Sequence, residues 1–442
     1  MSAMRTTRYR RGTMGESVLS AGFTRVDGEL ACDGVALDTI ARSVGTPTYI
    51  YSAALIREQY GRLTRALAPV PHRIHYSAKA NSARGVLALL QSLGAGVDIV
   101  SGGELYRSLA AGFTGADIVF SGVGKTEREL AEALDAGVLL VNVESESELL
   151  VLEQVAAEKG VIAPIALRVN PEVTVETPHH YTRTGERGLK FGVPYADALE
   201  VGRLAESLPH IRLAGLDMHI GSQVSSLDPY RDGMRKLLEL LAKLRAATGG
   251  AKHVRYLDIG GGLAVTYEAE APMDVEAFAE AIIPSVAASG LNLIVEPGRF
   301  LVGNAGVLLT RVLYRKKSGD HEYIITDAGM NDLLRPSHYN AYHAIGAVRP
   351  ASGRVVADVV GPVCESGDFF ALGREVDDVK PGELMVIQSG GAYGYSMASN
   401  YNSRARPAEV LTDDGRFAVI TERERYEDMV AREVRDVEWR DA

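Results

Sequence analysis

Residues 118–158, IVFSGVGKTERELAEALDAGVLLVNVESESELLVLEQVAAE, decide the fold class of this chain. The stretch opens on the apolar run Ile118–Phe120, continues through Glu127–Asp135, and then repeats both patterns in Leu139–Val143 and Glu146–Glu158. Apolar residues in the two longer segments recur at intervals of three and four, as in a helix that packs on one face. The sequence therefore predicts strands that alternate with helices, the pattern of a parallel sheet.

The same alternation extends from Ile74 to Val295. Eight strand-like runs occur there: Ile74–Ala78, Val97–Val100, Ile118–Phe120, Leu139–Val143, Ile165–Val169, Leu213–Ile220, Val254–Ile259 and Leu291–Val295. Further helical patterns cover Ala83–Leu93, Tyr195–Leu208, Tyr230–Ala247 and Val275–Ala288. Eight strands with intervening helices predict an α/β fold, a closed (β/α)8 TIM barrel. An open doubly wound sheet is the alternative.

The pattern changes after Arg299. Strand-like runs without a long helix between them follow: Val307–Arg315, Tyr323–Asp327, Val355–Val360 and Leu384–Gln388. They predict a separate all-β domain, of barrel or sandwich type. Residues 21–48 are expected to form its first part, residues 49–300 the barrel, and residues 301–442 its main part. Residues 1–20 are expected to be a disordered leader rather than a targeting sequence, because no long apolar segment follows their basic run.

Composition excludes several classes of function. The formal net charge is −10, which argues against nucleic acid as a partner. No apolar run approaches the roughly 20 residues of a membrane span. The two cysteines, Cys32 and Cys364, exclude a disulfide scaffold and a cysteine-rich zinc site, and they fit a reducing cytoplasm. The scattered histidines predict no metal centre.

TIM-barrel active sites lie at the ends of the barrel strands, and the residues expected there are mostly polar. They are Lys79, Asp98, Ser101, Ser121, Asn142, Arg168, Asn170, His219, Ser222, Gly260, Gly261, Gly262, Glu296 and Arg299. Lys79 has two interpretations. Its amine extends to water at the barrel mouth, or desolvation lowers its pKa and makes it a nucleophile for a carbonyl compound.

Two segments near the last strands suggest an anion site. Gly260-Gly261-Gly262 follows the seventh strand, and three glycines let backbone N–H groups approach a phosphate closely. Glu296-Pro-Gly-Arg299 follows the eighth strand. Barrel phosphate sites recur at these two loops. The alternatives are an ordinary tight turn and a surface ion pair.

Two further residues are candidates because of their neighbours. His219 ends the sixth strand, where it is either a satisfied core histidine or a catalytic group beside Lys79 and Glu296. Cys364 stands in Cys364-Glu-Ser-Gly-Asp368, outside the barrel. It is either an inert small hydrophobe or an exposed, reactive thiol.

Together these segments resemble the fold-type III pyridoxal-phosphate decarboxylases, and within them the diaminopimelate decarboxylase family. The resemblance runs from Gly45 to the C-terminus. It rests on Tyr76-Ser-Ala-Lys79-Ala-Asn81, Gly96-Val-Asp-Ile-Val-Ser-Gly-Gly-Glu104, Arg168-Val-Asn-Pro171, Lys190-Phe-Gly192, Gly215-Leu-Asp-Met-His-Ile-Gly-Ser222, Leu257-Asp-Ile-Gly-Gly-Gly262, Glu296-Pro-Gly-Arg299, Asp327-Ala-Gly-Met330, Cys364-Glu-Ser-Gly-Asp368, Gly390-Gly-Ala-Tyr-Gly394 and Tyr401-Asn-Ser-Arg404. It implies pyridoxal 5'-phosphate (PLP) as cofactor and decarboxylation of an amino acid, first of all meso-2,6-diaminopimelate to L-lysine.

The resemblance also implies roles on the cofactor side. Lys79 would hold PLP covalently, His219 would stack on its ring, and Glu296 would pair with the ring nitrogen. The phosphate would be bound by Ser222, Gly261, Gly262, Gly298, Arg299 and Tyr401.

On the substrate side, Arg299 and Arg335 would bind the distal carboxylate, since guanidinium forks suit a planar anion. Tyr339, Glu365 and Tyr401 would hold the far end of the substrate. Cys364 would protonate the carbon that has lost CO2. In this family the residues that match Cys364 and Glu365 enter from the partner subunit, which implies a homodimer with shared sites.

Alternatives stay open. Ser337 and His338 stand where the family carries two apolar residues, which places the substrate in doubt. A sibling decarboxylase for ornithine, lysine, carboxynorspermidine or a carrier- or siderophore-linked amino acid has no need of both Arg299 and Arg335. A racemase of the same fold would not need Cys364. A catalytically dead regulatory homologue, or a cofactor-free barrel enzyme for a phosphorylated metabolite, would be recognised by its absorbance spectrum.

Overall fold

A computed structural model describes residues 22–440, apart from positions 176, 178, 180–182 and 249. The leader expected at 1–20 lies outside the described residues. The elements before the barrel are β1 (Phe23–Val26), β2 (Glu29–Cys32), β3 (Val35–Ala36), α1 (Leu37–Val44) and β4 (Thr48–Ser52).

The barrel region then contains α2 (Ala53–Leu67), β5 (His72–Ser77), α3 (Arg84–Ser92), β6 (Gly96–Ile99), α4 (Gly102–Ala110), β7 (Ile118–Phe120), α5 (Glu127–Ala136), β8 (Leu140–Val143), α6 (Glu146–Lys159), β9 (Ala163–Asn170), β10 (Val193–Pro194), α7 (Ala198–Ser207), β11 (Ile211–Asp217), α8 (Asp228–Thr248), β12 (Tyr256–Asp258), α9 (Val275–Ser289), β13 (Asn292–Val295) and α10 (Arg299–Val302). The last third contains β14 (Gly306–Ser318), β15 (His321–Thr326), α11 (Arg335–Tyr339), β16 (Ile345–Ala347), β17 (Arg354–Val360), β18 (Phe369–Asp377), β19 (Leu384–Ile387), β20 (Ala408–Asp413), β21 (Arg416–Thr421) and α12 (Tyr426–Val430).

Eight of these strands close into one parallel sheet. Around the ring the order is β5, β6, β7, β8, β9, β11, β12 and β13, and β13 returns to β5 where Leu293 pairs with His72. β8 and β9 also pair, at Val141 and Ile165. An open sheet would leave two unpaired edges. Closure therefore confirms the (β/α)8 barrel and rules out the doubly wound alternative.

Local signals explain why the barrel helices begin and end where they do. Thr126 caps α5: its hydroxyl accepts a bond from the Glu129 N–H at 3.2 Å, and the Glu129 carboxylate accepts one from the Thr126 N–H at 3.0 Å. Gly137 ends the same helix with φ 68°, a left-handed conformation in which a side chain is costly. The short polar and glycine segments between predicted elements thus mark helix boundaries.

The sheet of the β domain includes chain from both sides of the barrel. β4 pairs antiparallel with β14 and parallel with β20, in the order β18-β17-β15-β14-β4-β20-β21. The boundary expected at residue 49 falls inside β4. The strands that pair with β4 belong to this sheet. The short helices α11 and α12 interrupt a region that the sequence predicted to be all β.

A loop of the β domain lies against the barrel at the turn that follows β5. The Tyr393 N–H donates to the Ala80 carbonyl at 2.8 Å, and the Asn81 side chain donates to the Gly391 carbonyl at 3.3 Å. The β domain therefore contributes residues to the mouth of the barrel. Among the described helices, none has the length and apolar character that a bilayer crossing requires.

Candidate active site

Lys79 lies in a single helical turn directly after β5. Its amine is 2.9 Å from the Asp98 carboxylate, which also accepts a bond from the Ser77 hydroxyl at 2.6 Å. Burial lowers the pKa of the Lys79 amine, but the Asp98 and Glu296 carboxylates outweigh burial and raise the pKa above its ordinary value. The net shift is therefore opposite to the one that desolvation alone would give, because the lysine is paired with Asp98 rather than alone.

Glu296 follows β13 and is 4% exposed. In the described part of the chain, its Oε1 has no hydrogen-bond partner. Carboxylate oxygens of Asp217, Asp258 and Glu296 lie within 4.8 Å of one another. Burial, and then the negative charges of Asp258, Asp98 and Asp217, raise the pKa of the Glu296 carboxyl. This carboxyl therefore has a raised pKa and, among the described residues, one oxygen without a partner.

The Gly260–Gly262 turn approaches its neighbours too closely for side chains. A Cβ on Gly261 would lie 2.0 Å from the Glu296 carbonyl oxygen, and one on Gly262 would lie 2.2 Å from the Gly221 carbonyl oxygen. The Gly261 N–H donates to His219 Nδ1 at 3.2 Å. The Gly262 N–H has no partner among the described residues. One of the two predicted phosphate donors is thus engaged and the other is available.

His219 is held as a neutral ring. Its Nδ1 accepts the Gly261 bond, so that nitrogen carries no proton. Burial, with the charges of Lys79 and Arg168, lowers the pKa of His219 to about 3. The ring is uncharged at neutral pH and can pack against a flat aromatic group.

Arg299 is 7% exposed and reaches across the site. Its Nε and Nη2 donate to the Ser222 hydroxyl oxygen at 3.3 and 3.2 Å, and its Nη1 donates to the Tyr267 hydroxyl at 2.5 Å. The guanidinium carbon also lies 4.8 Å from the Tyr393 ring centre. Gly298 caps the short helix that begins at Arg299.

Arg335 lies in α11 and is also 7% exposed. Its guanidinium carbon is 4.8 Å from the centre of the Tyr267 ring, and its Nε donates to His343 Nε2 at 3.3 Å. Tyr339, one turn later, packs edge-on against His179 with ring centres 5.6 Å apart. Arg299 and Arg335 therefore both contact Tyr267, so that two cations lie on one side of the site.

Cys364, Glu365 and Tyr401 form a second, exposed group. Cys364 lies in the loop between β17 and β18, and its N–H donates to the Asn402 side chain at 2.7 Å. A hydrogen bond to Glu365, and then the charge of Glu365, raise the pKa of the Tyr401 phenol. In the described chain no hydrogen bond or ion pair links these three residues to Lys79, His219 or Glu296.

Sequence reasoning missed five residues of this site. Three of them, Asp217, Asp258 and Tyr393, lie inside motifs that the sequence analysis quotes, but no role was assigned to them. Tyr267 and His343 carry no local signal. Their positions beside the two arginines come only from the packing of the loop after β12 against α11 and the residues that follow it.

Comparison with known proteins agrees with this geometry. Residues 53–303 match the family model described as pyridoxal-dependent decarboxylase, pyridoxal binding domain. The chain is 47% identical over 412 residues to the diaminopimelate decarboxylase of Pseudomonas aeruginosa, covering 93% of this chain and 98% of that protein. It is 45% identical over 409 residues to that of Aquifex aeolicus, covering 91% and 95%.

A solved structure is similar over almost the same length. The crystal structure of diaminopimelate decarboxylase from Helicobacter pylori complexed with L-lysine superposes with a TM-score of 0.85 at 39% identity. The match covers 89% of this chain and 98% of that one. Identity at this level over nearly the whole of each chain leaves one assignment: the chain belongs to the diaminopimelate decarboxylase family of pyridoxal-dependent decarboxylases.

Proposed function

We propose that the protein releases CO2 from meso-2,6-diaminopimelate and produces L-lysine, with PLP as its cofactor. The observation that carries the substrate is the pair of buried guanidinium groups, Arg299 and Arg335, that both contact Tyr267. Diaminopimelate has two amino-acid ends, so one carboxylate remains while the other leaves. Two buried cations that contact the same tyrosine suit that remaining carboxylate.

The residues present fit PLP. Among the described residues, a buried oxygen of Glu296 has no partner, which suits the ring nitrogen. Gly262 offers an unpaired N–H on a turn where a side chain would collide with Gly221, which suits a phosphate oxygen. The Ser222 hydroxyl accepts from Arg299, so its own proton is free to be donated.

The phosphate contacts of Gly261, Gly298 and Tyr401 remain predictions. Tyr393 is an additional candidate, because it lies between the Lys79 turn and the Arg299 guanidinium. Tyr401 lies beside Glu365 instead.

In this proposal, each of the chain's own residues at the site has a separate role. When bound, PLP withdraws electrons from the substrate carbon and stabilises the charge that departing CO2 leaves there. Among the described residues, Glu296 has a buried carboxyl oxygen without a partner, and this oxygen would pair with the ring nitrogen. His219, neutral and buried, would pack on the ring without adding charge. Lys79 provides the amine for covalent attachment, and Asp98 holds that amine in place.

The final proton comes from a thiol in this proposal. Cys364 is exposed and free, and it stands beside Glu365 and Tyr401 rather than beside Lys79. We therefore assign Cys364 and Glu365 to the site of a partner subunit in a homodimer, where Cys364 protonates the carbon and Glu365, with Tyr339 and Tyr401, holds the far end of the substrate. The two free cysteines support a reducing, cytoplasmic setting.

A panel of substrates tests the function. We expect CO2 release from meso-diaminopimelate to exceed that from L-ornithine or L-lysine by about 100-fold or more in kcat/KM, because only the first retains a carboxylate for both arginines. Arg335→Met, which keeps the length of the side chain, should reduce that preference strongly. Equal rates with ornithine would favour a sibling decarboxylase. Bound cofactor without CO2 release from any of these amino acids would favour a racemase or a regulatory homologue.

A further inference from the structure

We propose that Tyr267 is a positioning residue that holds Arg299 and Arg335 at the spacing required for a carboxylate, with His343 fixing the second guanidinium. The proposal rests on the function proposed above and concerns the recognition of the carboxylate that remains. It adds two side chains, Tyr267 and His343, whose positions follow only from the folded chain.

Tyr267 contacts both guanidinium groups in different ways. Its hydroxyl oxygen accepts from Arg299 Nη1 at 2.5 Å, while its ring face meets Arg335, whose guanidinium carbon is 4.8 Å from the ring centre. A phenol oxygen and a π face both attract cations. One side chain therefore offsets the repulsion between two arginines that would otherwise be driven apart.

The backbone around Tyr267 is itself held in place. The Tyr267 N–H donates to Glu270 Oε1 at 2.8 Å, and the Asn304 amide donates to the Thr266 carbonyl at 2.8 Å. The loop after the glycine turn is thus tied both to itself and to the chain that follows α10. The phenol is consequently placed by main-chain contacts rather than by the arginines alone.

His343 acts on the other side of Arg335. Its Nδ1 lies 2.8 Å from the Gln388 carbonyl oxygen, so Nδ1 carries the proton and donates it. The other nitrogen, Nε2, is then an acceptor for Arg335 Nε at 3.3 Å. The ring packs edge-on against Tyr267 with centres 5.4 Å apart. Burial, and then the Arg335 charge, lower the pKa of His343 to about 3, so this acceptor persists at neutral pH.

Tyr267→Phe tests the proposal, because it removes the phenol oxygen and keeps the ring. The probes are L-lysine, which retains the carboxylate in question, and 1,5-diaminopentane, which lacks it. Calorimetric titration of the PLP-loaded enzyme should show lysine binding weakened about tenfold and diamine binding unchanged. In turnover, KM for meso-diaminopimelate should rise by a similar factor while kcat stays within about twofold of its original value.

Matched variants separate positioning from general damage. Tyr195→Phe removes a phenol that donates to the Lys236 carbonyl at 3.3 Å, away from the arginines. This variant should bind both L-lysine and 1,5-diaminopentane with unchanged affinity. His343→Phe should weaken lysine binding, whereas His343→Gln, which keeps an acceptor for Arg335, should restore part of it.

The possible results distinguish failure of this proposal from failure of the proposed function. Equal weakening of lysine and diamine by Tyr267→Phe would overturn the proposal, as would unchanged binding of both. The His343 pair gives an independent result even if the Tyr267 variant does not fold. Failure of the unaltered enzyme to decarboxylate meso-diaminopimelate would instead overturn the proposed function.

Discussion

At the scale of single residues, buried carboxyl groups with raised pKa values mark the site. Burial raises the pKa of Asp258 to about 7, although a bond from the Gly260 N–H partly opposes it. A carboxyl whose pKa is higher in the folded protein than in the unfolded chain stabilises the fold below the unfolded pKa, about 4. That contribution is lost as the pH rises through the folded pKa. Because of Asp258, the free energy of unfolding should therefore fall as the pH rises from about 4 to about 7.

Asp258→Asn removes this titration and keeps the shape of the side chain. In cofactor-stripped protein, the stability of the variant relative to the original should be higher at pH 8 than at pH 5, by about 2–3 kcal/mol. Denaturant unfolding at the two pH values measures it. Buried histidines such as His75 and His219 act in the opposite direction in both proteins, so they cancel in the difference. A pH-independent difference would mean that Asp258 is ionised throughout.

At the scale of elements, the turn after β12 allows no extra atom. Gly261→Ala would place a methyl group 2.0 Å from the Glu296 carbonyl oxygen, which is backbone and cannot rotate away. We expect about 1–3 kcal/mol of destabilisation and a clear loss of bound PLP. Gly124→Ala is the matched control, because nothing lies within 4 Å of its Cβ position. Thermal unfolding and the absorbance of the cofactor are the measurements. If both variants behave alike, the turn is not the cradle proposed.

The observed bounds of the helices and strands also show which elements the local sequence predicts and which depend on contacts with distant residues. Strands β5 to β9 and β11 to β13 follow the predicted runs to within three residues, because burial on both faces leaves a continuous apolar signal in the sequence. The two-residue strand β10 and the short helix α11 had no such signal. Elements of two to five residues form because neighbours hold them, and their own sequence has too few positions to show a period.

At the scale of the whole molecule, the proposal that a partner subunit supplies Cys364 can be tested directly. Lys79→Ala and Cys364→Ala should each be nearly inactive alone. After subunit exchange, half of the dimers are mixed, and each mixed dimer holds one unaltered site of two. Activity should therefore return to roughly a quarter of the original at most.

A second mixture is the control for that experiment. Lys79→Ala combined with Glu296→Ala places both changes in barrels, so each site of a mixed dimer carries one defect and no activity should return. Exchange must be verified by mass. Recovery in the control, or none in the first mixture, would contradict delivery of Cys364 from the partner.

The sequence by itself determined the barrel and the position of Lys79, the glycine turn and Glu296. These follow from periodic burial and from the rule that strand ends meet at one face, and both are readable along a continuous stretch. Only the tertiary structure decided the sign of the Lys79 pKa shift, since it depends on the 2.9 Å contact with Asp98. Only it brought Tyr267 into contact with both Arg299 and Arg335, and Tyr401 close to Glu365 and Cys364. Coulomb and hydrogen-bond energies depend on distances between residues that lie far apart in the chain, and no local pattern contains those distances.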